Sequence, residues 1–347
     1  MMIRTGVIGY GYWGPNIVRN LAEIPEMELR WVSDLRSDRL RLVSARYPGV
    51  RVTNDYREVC ADPQVDAVVI AAPVSTHFPL AMAALGAGKH VLVEKPLAAT
   101  VEEAQKLVDE ARRRGLTLMV DHTFVYTGAV RKIKQLIEDL GELYYYDSVR
   151  VNLGLFQRDV NVIWDLAVHD FAIMDYTLGV EPTAITATGM SHVEGTSEDI
   201  AYITVFYPGE LIAHVNVNWL SPLKVRRVLI GGSRRMMVYD DLETSEKLKI
   251  YDKGITVTNG NGPDTVYKLL VNYRTGDMWA PKLDVTEALN VMLRHFAECI
   301  ETGRRPITDG VCGLKVVRML EAATESAKQR GRLIEFPSAA AVSAEAV

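Results

Sequence analysis

The first third of the chain alternates short runs of apolar and β-branched residues with longer stretches whose apolar positions recur at helical spacing. The strand-like runs are IRTGVIG, LRWVSD, VDAVVIAAP, HVLVEKP and LTLMVDH. The third run is continuously apolar, which is typical of a strand buried on both faces. Stretches such as TVEEAQKLVDEARRRG lie between the runs, and that one opens with a capping box of Thr100 and Glu103. The alternation predicts a doubly wound parallel sheet flanked by helices.

The pattern changes after about residue 121. LYYYDSVRVNL reads as a long strand, and VIWDLAVHDFAIMDYTLG reads as a helix closed by Gly179. From Thr183 to about Thr256 the chain reads as successive strands, with Tyr207-Pro208-Gly209-Glu210 suited to a hairpin turn. Two helices, about 284–302 and 310–331, follow. This order predicts an α+β domain with an open, mostly antiparallel sheet.

The predicted fold class is therefore α/β, with two domains. We expect residues 1–121 to form a dinucleotide-binding domain and residues 122–337 a domain for substrate binding and oligomerisation. The small, weakly patterned residues 338–347 predict a disordered tail. The stretch 48–52 and the run Arg112–Arg114 read as solvated surface.

Composition narrows the range of partners. The 347 residues are 48% hydrophobic and 24% charged, with a formal net charge of −5. This balance is normal for a globular protein and gives no electrostatic reason to expect nucleic acid or an anionic membrane. Three scattered cysteines and the lack of any Cys/His cluster suggest neither a disulfide framework nor a metal site. No stretch approaches the roughly 18 apolar residues of a membrane span, so we expect a cytoplasmic protein.

A glycine-rich motif follows the first strand directly and precedes the first helix. In Gly9-Tyr10-Gly11-Tyr12-Trp13-Gly14, the first glycine allows a tight turn, the second lets the backbone approach a pyrophosphate, and the third lets helix and strand pack closely. The free N–H groups of the helix N-terminus would then face the phosphates. The motif in this context predicts a dinucleotide site, with Tyr12 and Trp13 in its loop.

Asp34 at the end of the second strand favours NAD over NADP as the dinucleotide. A carboxylate at that position accepts hydrogen bonds from ribose hydroxyls and repels a 2′-phosphate. Arg36 and Arg39 lie nearby and can receive such a phosphate, so NADP stays open as the less favoured cofactor.

Two further segments carry candidate chemistry. Glu94-Lys95-Pro96 follows the fourth strand-like run, at the edge where parallel sheets build their sites. Asp165 and His169 are four residues apart on a predicted helix and so project from one face. Taken singly, each signal is weak, because a lysine after a strand is usually a surface charge and an Asp/His pair is more often structural.

Taken together and in this order, the segments GYGYWGPNIVRN, AAPVSTH, VLVEKPLA and DLAVHDF resemble the glucose-fructose oxidoreductase and inositol dehydrogenase family, written Gfo/Idh/MocA. The resemblance covers nearly the whole chain. Within the family, the chain looks most similar to dehydrogenases that oxidise the C3 hydroxyl of UDP-N-acetylglucosamine or its uronic acid. The later stretch YRTGDMWAPKLDVTEAL also resembles that subgroup.

The resemblance implies a role for each matching residue. His169 would take the hydroxyl proton, Asp165 would orient its imidazole, and Lys95 would hydrogen-bond the reacting oxygen and the nicotinamide ribose. Glu94 would contact that ribose. The residues bordering the nicotinamide would be Pro73, Thr76 and His77.

Substrate contacts are predicted more loosely. Arg150 and Asn152 alternate on one strand and share a face, where an arginine can bind a carboxylate or diphosphate. Tyr126, Tyr273 and Arg274 are further candidates, and for each of the five an ordinary structural role is at least as good an interpretation. The remaining candidates for metal or acid–base chemistry are interpreted as structural histidines: His122, His192, His214 and His295.

The sequence leaves several functions open. The first is an NAD-dependent dehydrogenase of a sugar or nucleotide sugar, with inositol or a free sugar as alternative substrates. The second is an NAD-dependent glycosidase that oxidises C3 only transiently, and the third is a sugar-sensing binding protein, which would not need Lys95, Asp165 and His169. We also expect a homodimer or homotetramer that pairs through the open sheet.

Overall fold

The computed structural model describes residues 2–154, 160–194, 197–258 and 270–337, with backbone only for 255–258 and 270–273. The predicted tail at 338–347 lies outside the described residues. The chain divides into two compact units. The first comprises Met1–Thr127, Phe171–Tyr176 and Val285–Glu321, and the second comprises Gly128–Asp170, Thr177–Asp284 and Ala322–Val347.

The first unit is built on a six-stranded parallel sheet. Its strands are β1 (Ile3–Ile8), β2 (Met27–Ser33), β3 (Arg51–Thr53), β4 (Ala67–Ile70), β5 (His90–Glu94) and β6 (Leu118–Asp121). They lie in the order β3-β2-β1-β4-β5-β6, so the direction of winding reverses between β1 and β4. All four residues of β4 are buried, as its unbroken apolar sequence predicted. Ligands of such sheets bind outside the carboxyl ends of the strands at this reversal.

Helices connect the strands of the parallel sheet. Those between strands are α1 (Gly14–Glu23), α2 (Ser37–Arg46), α3 (Tyr56–Ala61), α4 (Val74–Gly86) and α5 (Val101–Arg114). The N-cap predicted for α5 is confirmed, because the Thr100 hydroxyl accepts a hydrogen bond from the backbone N–H of Glu103 at 3.1 Å. The Glu103 carboxylate accepts from the backbone N–H of Ala99 at 3.2 Å, one residue before the position that a capping box uses. Gly115 ends α5 in the left-handed conformation, with φ of 65°.

The first unit also contains chain from beyond the predicted boundary at residue 121. The helices α8 (Ala288–Thr302) and α9 (Gly310–Lys328) come late in the sequence, yet α8 and the part of α9 up to Glu321 belong to this unit. A Cβ at Gly310 would lie 2.7 Å from Leu118, and one at Gly313 would lie 2.6 Å from Val120, so α9 packs directly on β6.

The second unit contains a nine-stranded sheet. Its strands are β7 (Leu143–Leu153), β8 (Ala184–Met190), β9 (Ile200–Phe206), β10 (Ile212–Asn218), β11 (Leu220–Gly232), β12 (Met236–Asp240), β13 (Leu248–Tyr251), β16 (Met278–Trp279) and β17 (Ile334–Glu335). The order is β16-β13-β12-β11-β7-β10-β9-β8-β17, and every pairing is antiparallel except that of β7 with β10. The predicted fold class is confirmed. A separate hairpin is formed by β14 (Gly254–Thr258) and β15 (Leu270–Arg274).

The helices of the second unit begin with α6 (Gly128–Leu136), which continues as a 3₁₀ helix over Ile137–Leu140. The helix predicted over 162–179 is a π-helical turn at Ile163–Ala167 followed by α7 (Val168–Leu178), which Gly179 ends with φ of 69°. The part Phe171–Tyr176 of α7 belongs to the first unit. The π turn is a departure from the prediction, because the spacing of apolar residues does not separate one wide turn from an α-helix.

The prediction missed the strand β3 and the helix α3 of the first unit, and the short strands β15, β16 and β17. Part of the stretch interpreted as solvated surface at 48–52 is in fact the start of β3, which pairs with β2 at the edge of the sheet. The helix α3 follows, and its N-cap Asp55 accepts a hydrogen bond from the N–H of Arg57 at 3.0 Å. The strand β3 has only three residues, and Arg51 is exposed, so the sequence shows no alternating pattern. Only the hydrogen-bonded pairing with β2 reveals the strand.

Neither a membrane span nor a metal centre is found in the described part of the chain. No helix there is both long and apolar enough to cross a bilayer. Its His, Cys, Asp and Glu side chains form no group of three or more that can hold a metal ion.

Candidate active site

The glycine loop after β1 is fixed by close backbone approaches. Gly9 has φ of 103°, and a Cβ there would lie 2.2 Å from the carbonyl oxygen of Ala71, which follows β4. A Cβ at Gly14 would lie 2.5 Å from the carbonyl oxygen of Gly9. A side chain at either position would therefore clash with backbone atoms. The two outer glycines of the motif are required by the fold itself.

Gly11, between them, faces open space. A Cβ at this position would meet no atom of the described residues within 4 Å, apart from its chain neighbours. The helix α1 begins three residues later, and no described side chain caps its N-terminus. Helix N-terminal N–H groups bind phosphate, and a glycine lets phosphate approach the backbone. The loop therefore fits the pyrophosphate of a dinucleotide. Tyr12 is 86% exposed, whereas Trp13 is half-buried.

Asp34 holds the glycine loop from the end of β2. Its Oδ2 accepts a hydrogen bond from the backbone N–H of Tyr10 at 2.7 Å, and its Oδ1 accepts one from the N–H of Arg36 at 2.8 Å. The guanidinium of Arg36 lies 3.6 Å from the same Oδ1 and is half exposed. The carboxylate predicted to select NAD therefore also shapes the loop that would receive it.

Two acidic residues, Glu94 and Asp121, end the neighbouring strands β5 and β6. They are direct partners in the register of the two strands. Burial raises the pKa of Glu94 well above its usual value, and the charge of Asp121 and a hydrogen bond to it act in the same direction. Asp121 is 3% exposed and accepts hydrogen bonds from the indole of Trp13 at 3.1 Å and from the N–H of Thr123 at 3.2 Å. Glu94 itself accepts one from the N–H of Lys95 at 2.9 Å.

His77 connects the segment after β5 to the loop after β4. Its Nδ1 lies 2.8 Å from the carbonyl oxygen of Pro96, and its Nε2 lies 2.8 Å from that of Ala72. Burial lowers the pKa of this imidazole, which is 1% exposed. A neutral imidazole has one N–H, so it donates to one of the two carbonyls at a time. Pro73 is exposed, and the Thr76 hydroxyl donates to its carbonyl oxygen at 2.7 Å.

His122 follows Asp121 and is also deeply buried, at 1% exposure. Neither ring nitrogen has a hydrogen-bond partner among the described residues. Burial, assisted by the nearby charge of Lys95, lowers its pKa to about 3. The ring is therefore neutral at physiological pH.

The second unit carries the other candidate pair. Asp165 lies within the π turn and His169 in the first turn of α7, both half-buried. The indole Nε1 of Trp219, a fully buried residue, donates to Oδ2 of Asp165 at 3.1 Å. The backbone N–H of Asp165 bonds to the carbonyl oxygen of Asn161 at 3.1 Å. The side chain of Asp165 is thus held by a residue of the sheet, and its backbone is held by the residue that precedes the helical segment.

Asp170, next to His169, forms a buried ion pair with Arg150 of β7. The two side chains are 1% and 4% exposed, and Arg150 Nε donates to Asp170 Oδ2 at 2.7 Å. The hydroxyl of Ser148 donates to Oδ1 at 2.6 Å. The predicted role of Arg150 in binding an anionic substrate gains no support from these contacts, because its guanidinium is engaged with Asp170. The pair instead fixes the first turn of α7.

The other predicted substrate residues are placed as follows. Tyr126 is 2% exposed, and its hydroxyl lies 3.1 Å from that of Thr308 in the same unit, so it is engaged there. Asn152 is half-buried and donates to the carbonyl oxygen of Leu153. Arg274 is exposed and bonds to Asp252 at 2.5 Å. The backbone of Tyr273 pairs with Ile255, and its side chain lies outside the described part of the chain.

A parallel sheet with an open glycine loop at its winding reversal is the architecture of a dinucleotide-binding domain, and comparison with known families shows an NAD-binding oxidoreductase. Residues 3–122 match the description "Oxidoreductase family, NAD-binding Rossmann fold", and residues 130–238 match "GFO/IDH/MocA C-terminal domain". The oxidoreductase YdgJ of Escherichia coli is 30% identical over 95% of this chain and 98% of its own length. The chain belongs to the Gfo/Idh/MocA family, which confirms the resemblance.

Two further relatives have a stated activity. UDP-N-acetylglucosamine 3-dehydrogenase of Acidithiobacillus ferrooxidans is 29% identical over 91% of this chain and 94% of its own. The NADP-dependent scyllo-inositol 2-dehydrogenase IolW of Bacillus subtilis is 27% identical over 94% of each chain.

Solved structures are similar over nearly the full length. One structure of the UDP-N-acetylglucosamine 3-dehydrogenase GnnA from A. ferrooxidans superposes with a TM-score of 0.78 at 28% identity, covering 95% of this chain and 99% of that one. GenD2 from gentamicin A biosynthesis, in complex with NAD, gives 0.81 at 25% identity and 97% of each chain.

Sequence reasoning missed Asp121 and Trp219. Asp121 had a signal, since it ends a predicted strand at the same edge as Glu94. Trp219 had none, because a tryptophan after a strand is usually a packing residue. Only the fold brings its indole to Asp165, which lies 54 residues away along the chain.

Proposed function

We propose that this protein oxidises a ring hydroxyl of a nucleotide sugar, with C3 as the position and NAD as the hydride acceptor. The observation that carries the proposal is the pair of Asp165 and His169, half-buried on one helical segment, in a family member whose Gly11 loop is open for a dinucleotide. A sensor on this fold would not need such a pair.

The proposed division of labour follows from the chemistry of an alcohol oxidation. NAD, when bound, accepts the hydride that leaves the carbinol carbon. His169 takes the hydroxyl proton, since an imidazole titrates near neutral pH and suits a general base. Asp165 orients that ring and stabilises its charged form. Lys95 donates a hydrogen bond to the oxygen on which negative charge develops.

Residues at the cofactor end have supporting roles. Glu94 contacts the nicotinamide ribose, and Asp34 contacts the adenosine ribose while holding the loop at Tyr10. His77 acts indirectly, because both ring nitrogens face backbone carbonyls of the protein. It fixes the segment that follows Lys95.

The proposed substrate class rests on relatives. UDP-N-acetylglucosamine 3-dehydrogenase supports a nucleotide amino sugar, and the inositol dehydrogenase IolW supports a cyclic polyol as the second candidate. Asn152 remains a proposed substrate contact. Arg150 and Tyr126 do not, because each is engaged within its own unit.

Absorbance of NADH tests the proposal directly. The purified protein is mixed with NAD and a panel of UDP-amino sugars, their uronic acids, free sugars and inositols. His169→Ala and Lys95→Ala should abolish the signal, whereas His214→Ala, at an exposed histidine of β10, should not. Signal with a UDP-amino sugar or its uronic acid supports the proposal.

Other outcomes select other functions. Signal with inositols or free sugars alone keeps the chemistry and changes the substrate. Aglycone release without net NADH indicates a redox-neutral glycosidase. Bound NAD with no turnover of any kind indicates a sensor.

We also propose that the protein is a homodimer or homotetramer through its nine-stranded sheet. Alternate residues of β9 and β10 are buried on one face of the sheet. The opposite face of these strands carries Tyr202, which is 58% exposed, together with the half-buried Phe206 and Ile212. Apolar side chains on one face of a wide sheet favour burial against a second subunit.

A further inference from the structure

The π turn that carries Asp165 is tied to the sheet by one tryptophan. Trp219 lies between β10 and β11 and is 0% exposed. Its backbone is anchored on both sides, because its N–H donates to the carbonyl oxygen of Asp199 at 2.9 Å and its carbonyl accepts from the N–H of Gly154 at 2.8 Å. The backbone of Trp219 is therefore held by two neighbouring segments of the second unit.

Packing leaves the indole little freedom. A Cβ at Gly154 would lie 2.2 Å from its Cδ1, so the chain approaches the ring as closely as only glycine allows. From this fixed position, Nε1 donates to Oδ2 of Asp165 at 3.1 Å. A hydrogen bond to a charged carboxylate is stronger than one between two neutral groups.

The start of the same helical segment is fixed from the same side. The backbone N–H of Val162 donates to the carbonyl oxygen of Glu198 at 3.0 Å, and the side chain of Asn161 bridges Glu198 and the N–H of Trp164. Glu198 precedes Asp199, which anchors Trp219. A π turn is wider than an α-helical turn and is common at functional sites. Here it presents Asp165 to the indole.

We propose that Trp219 is a positioning residue for the base: its indole N–H holds the carboxylate of Asp165 in the orientation that serves His169. The inference rests on the proposed function of Asp165 and His169. Trp219 has no exposed surface and lies 54 residues along the chain from Asp165.

The test compares two tryptophans that differ in what they hold. Trp219→Phe removes the hydrogen bond to Asp165. The matched control is Trp164→Phe, at the residue next to Asp165. It removes an indole hydrogen bond of 2.9 Å to the hydroxyl of Thr324 and leaves Asp165 untouched. Both variants are measured with the sugar identified in the panel, alone and combined with Asp165→Asn.

Trp219→Phe should lower kcat about tenfold, corresponding to about 1.4 kcal/mol, while NAD affinity by fluorescence titration and the KM for the sugar stay within about twofold. Trp164→Phe should leave kcat within about twofold. The double variant Trp219→Phe/Asp165→Asn should be no slower than Asp165→Asn alone, because both changes remove one interaction. Multiplied losses, or an unchanged kcat in Trp219→Phe, would overturn the inference.

A second measurement covers the case in which Trp219→Phe does not fold. The protein contains five tryptophans, and ¹⁵N-indole labelling gives one N–H resonance for each. Asp165→Asn should move one of them upfield by weakening its hydrogen bond, and Trp164→Phe identifies the neighbouring resonance by deletion. No upfield shift in Asp165→Asn would overturn the contact. If the wild-type protein turns over no substrate, the proposed function fails first and the inference fails with it.

Discussion

Two carboxyl groups, Glu94 and Asp121, lie opposite each other at the ends of β5 and β6, and this arrangement makes stability depend on pH in a defined direction. Burial raises the pKa of Glu94 well above its usual value of 4.5, with the charge of Asp121 and a hydrogen bond to it next. In the folded protein Glu94 therefore keeps its proton at pH values where the unfolded chain has lost it.

The sign and size of the effect follow from proton linkage. Below pH 4.5 both states hold the proton, and the contribution of the pair to stability is complete. As pH rises above that value, folding must take up a proton, so stability falls by at most about 1.4 kcal/mol per pH unit. The loss is complete once pH has passed the folded pKa of Glu94.

The perturbation is Glu94→Gln. The amide has the shape of a protonated carboxyl and can donate an N–H to Asp121, but it does not titrate. The variant should match the wild type near pH 4.5 and become more stable than it as pH rises. With about 2–4 °C in Tm for each kcal/mol in domains of 150–250 residues, the gap should widen by several degrees between pH 5 and pH 8.

The assay is thermal unfolding by circular dichroism from pH 4.5 to pH 9, without cofactor. Asp66→Asn is the control with the opposite sign, because the hydrogen bond from Arg4 lowers the pKa of Asp66. That variant should be less stable than the wild type by a nearly constant amount from pH 4.5 to pH 9, because the usual pKa of 3.8 and the lower folded pKa of Asp66 both lie below this range. A gap between Glu94→Gln and the wild type that stays constant over the whole range would refute a protonated Glu94.

Three further predictions follow from single contacts. Gly11→Ala should weaken NAD binding in a fluorescence titration with little change in Tm, because the added Cβ meets open space. Gly9→Ala should lower Tm, because its added Cβ meets a carbonyl oxygen. Equal Tm values for the two variants would contradict the loop geometry. Arg150→Met should cost about 3–5 kcal/mol in urea unfolding, because it leaves the buried Asp170 carboxylate unpaired, and adding Asp170→Asn should recover part of that loss. Light scattering at micromolar concentration should give a dimer or tetramer, and Tyr202→Glu on the sheet face should shift it toward monomer; a monomeric wild type would rule out the proposed assembly.

Local patterns in the sequence determined most of the first unit and the outline of the second. The apolar run in β4 predicted a fully buried strand, and the runs after Thr183 predicted the successive strands that include β9 and β10. The glycine motif predicted its own loop, because Gly14 must lie against Gly9 within one strand–loop–helix unit, although the clash that excludes a side chain at Gly9 comes from Ala71 after β4. Such features depend on residues close together along the chain, so periodicity and turn chemistry suffice to recognise them.

Long-range pairing decided the remainder, and no local pattern encodes it. The sequence offered Arg150 as a ligand for an anion, but β7 and α7 come together so that Asp170 takes its guanidinium. Glu94 and Asp121 become a pair only because β5 and β6 are neighbours in register. The contact of Trp219 with Asp165 requires a strand end and a π turn to meet across 54 residues of chain. Burial and charge pairing are properties of the assembled fold. They decide which polar groups are available to react and which only stabilise the site.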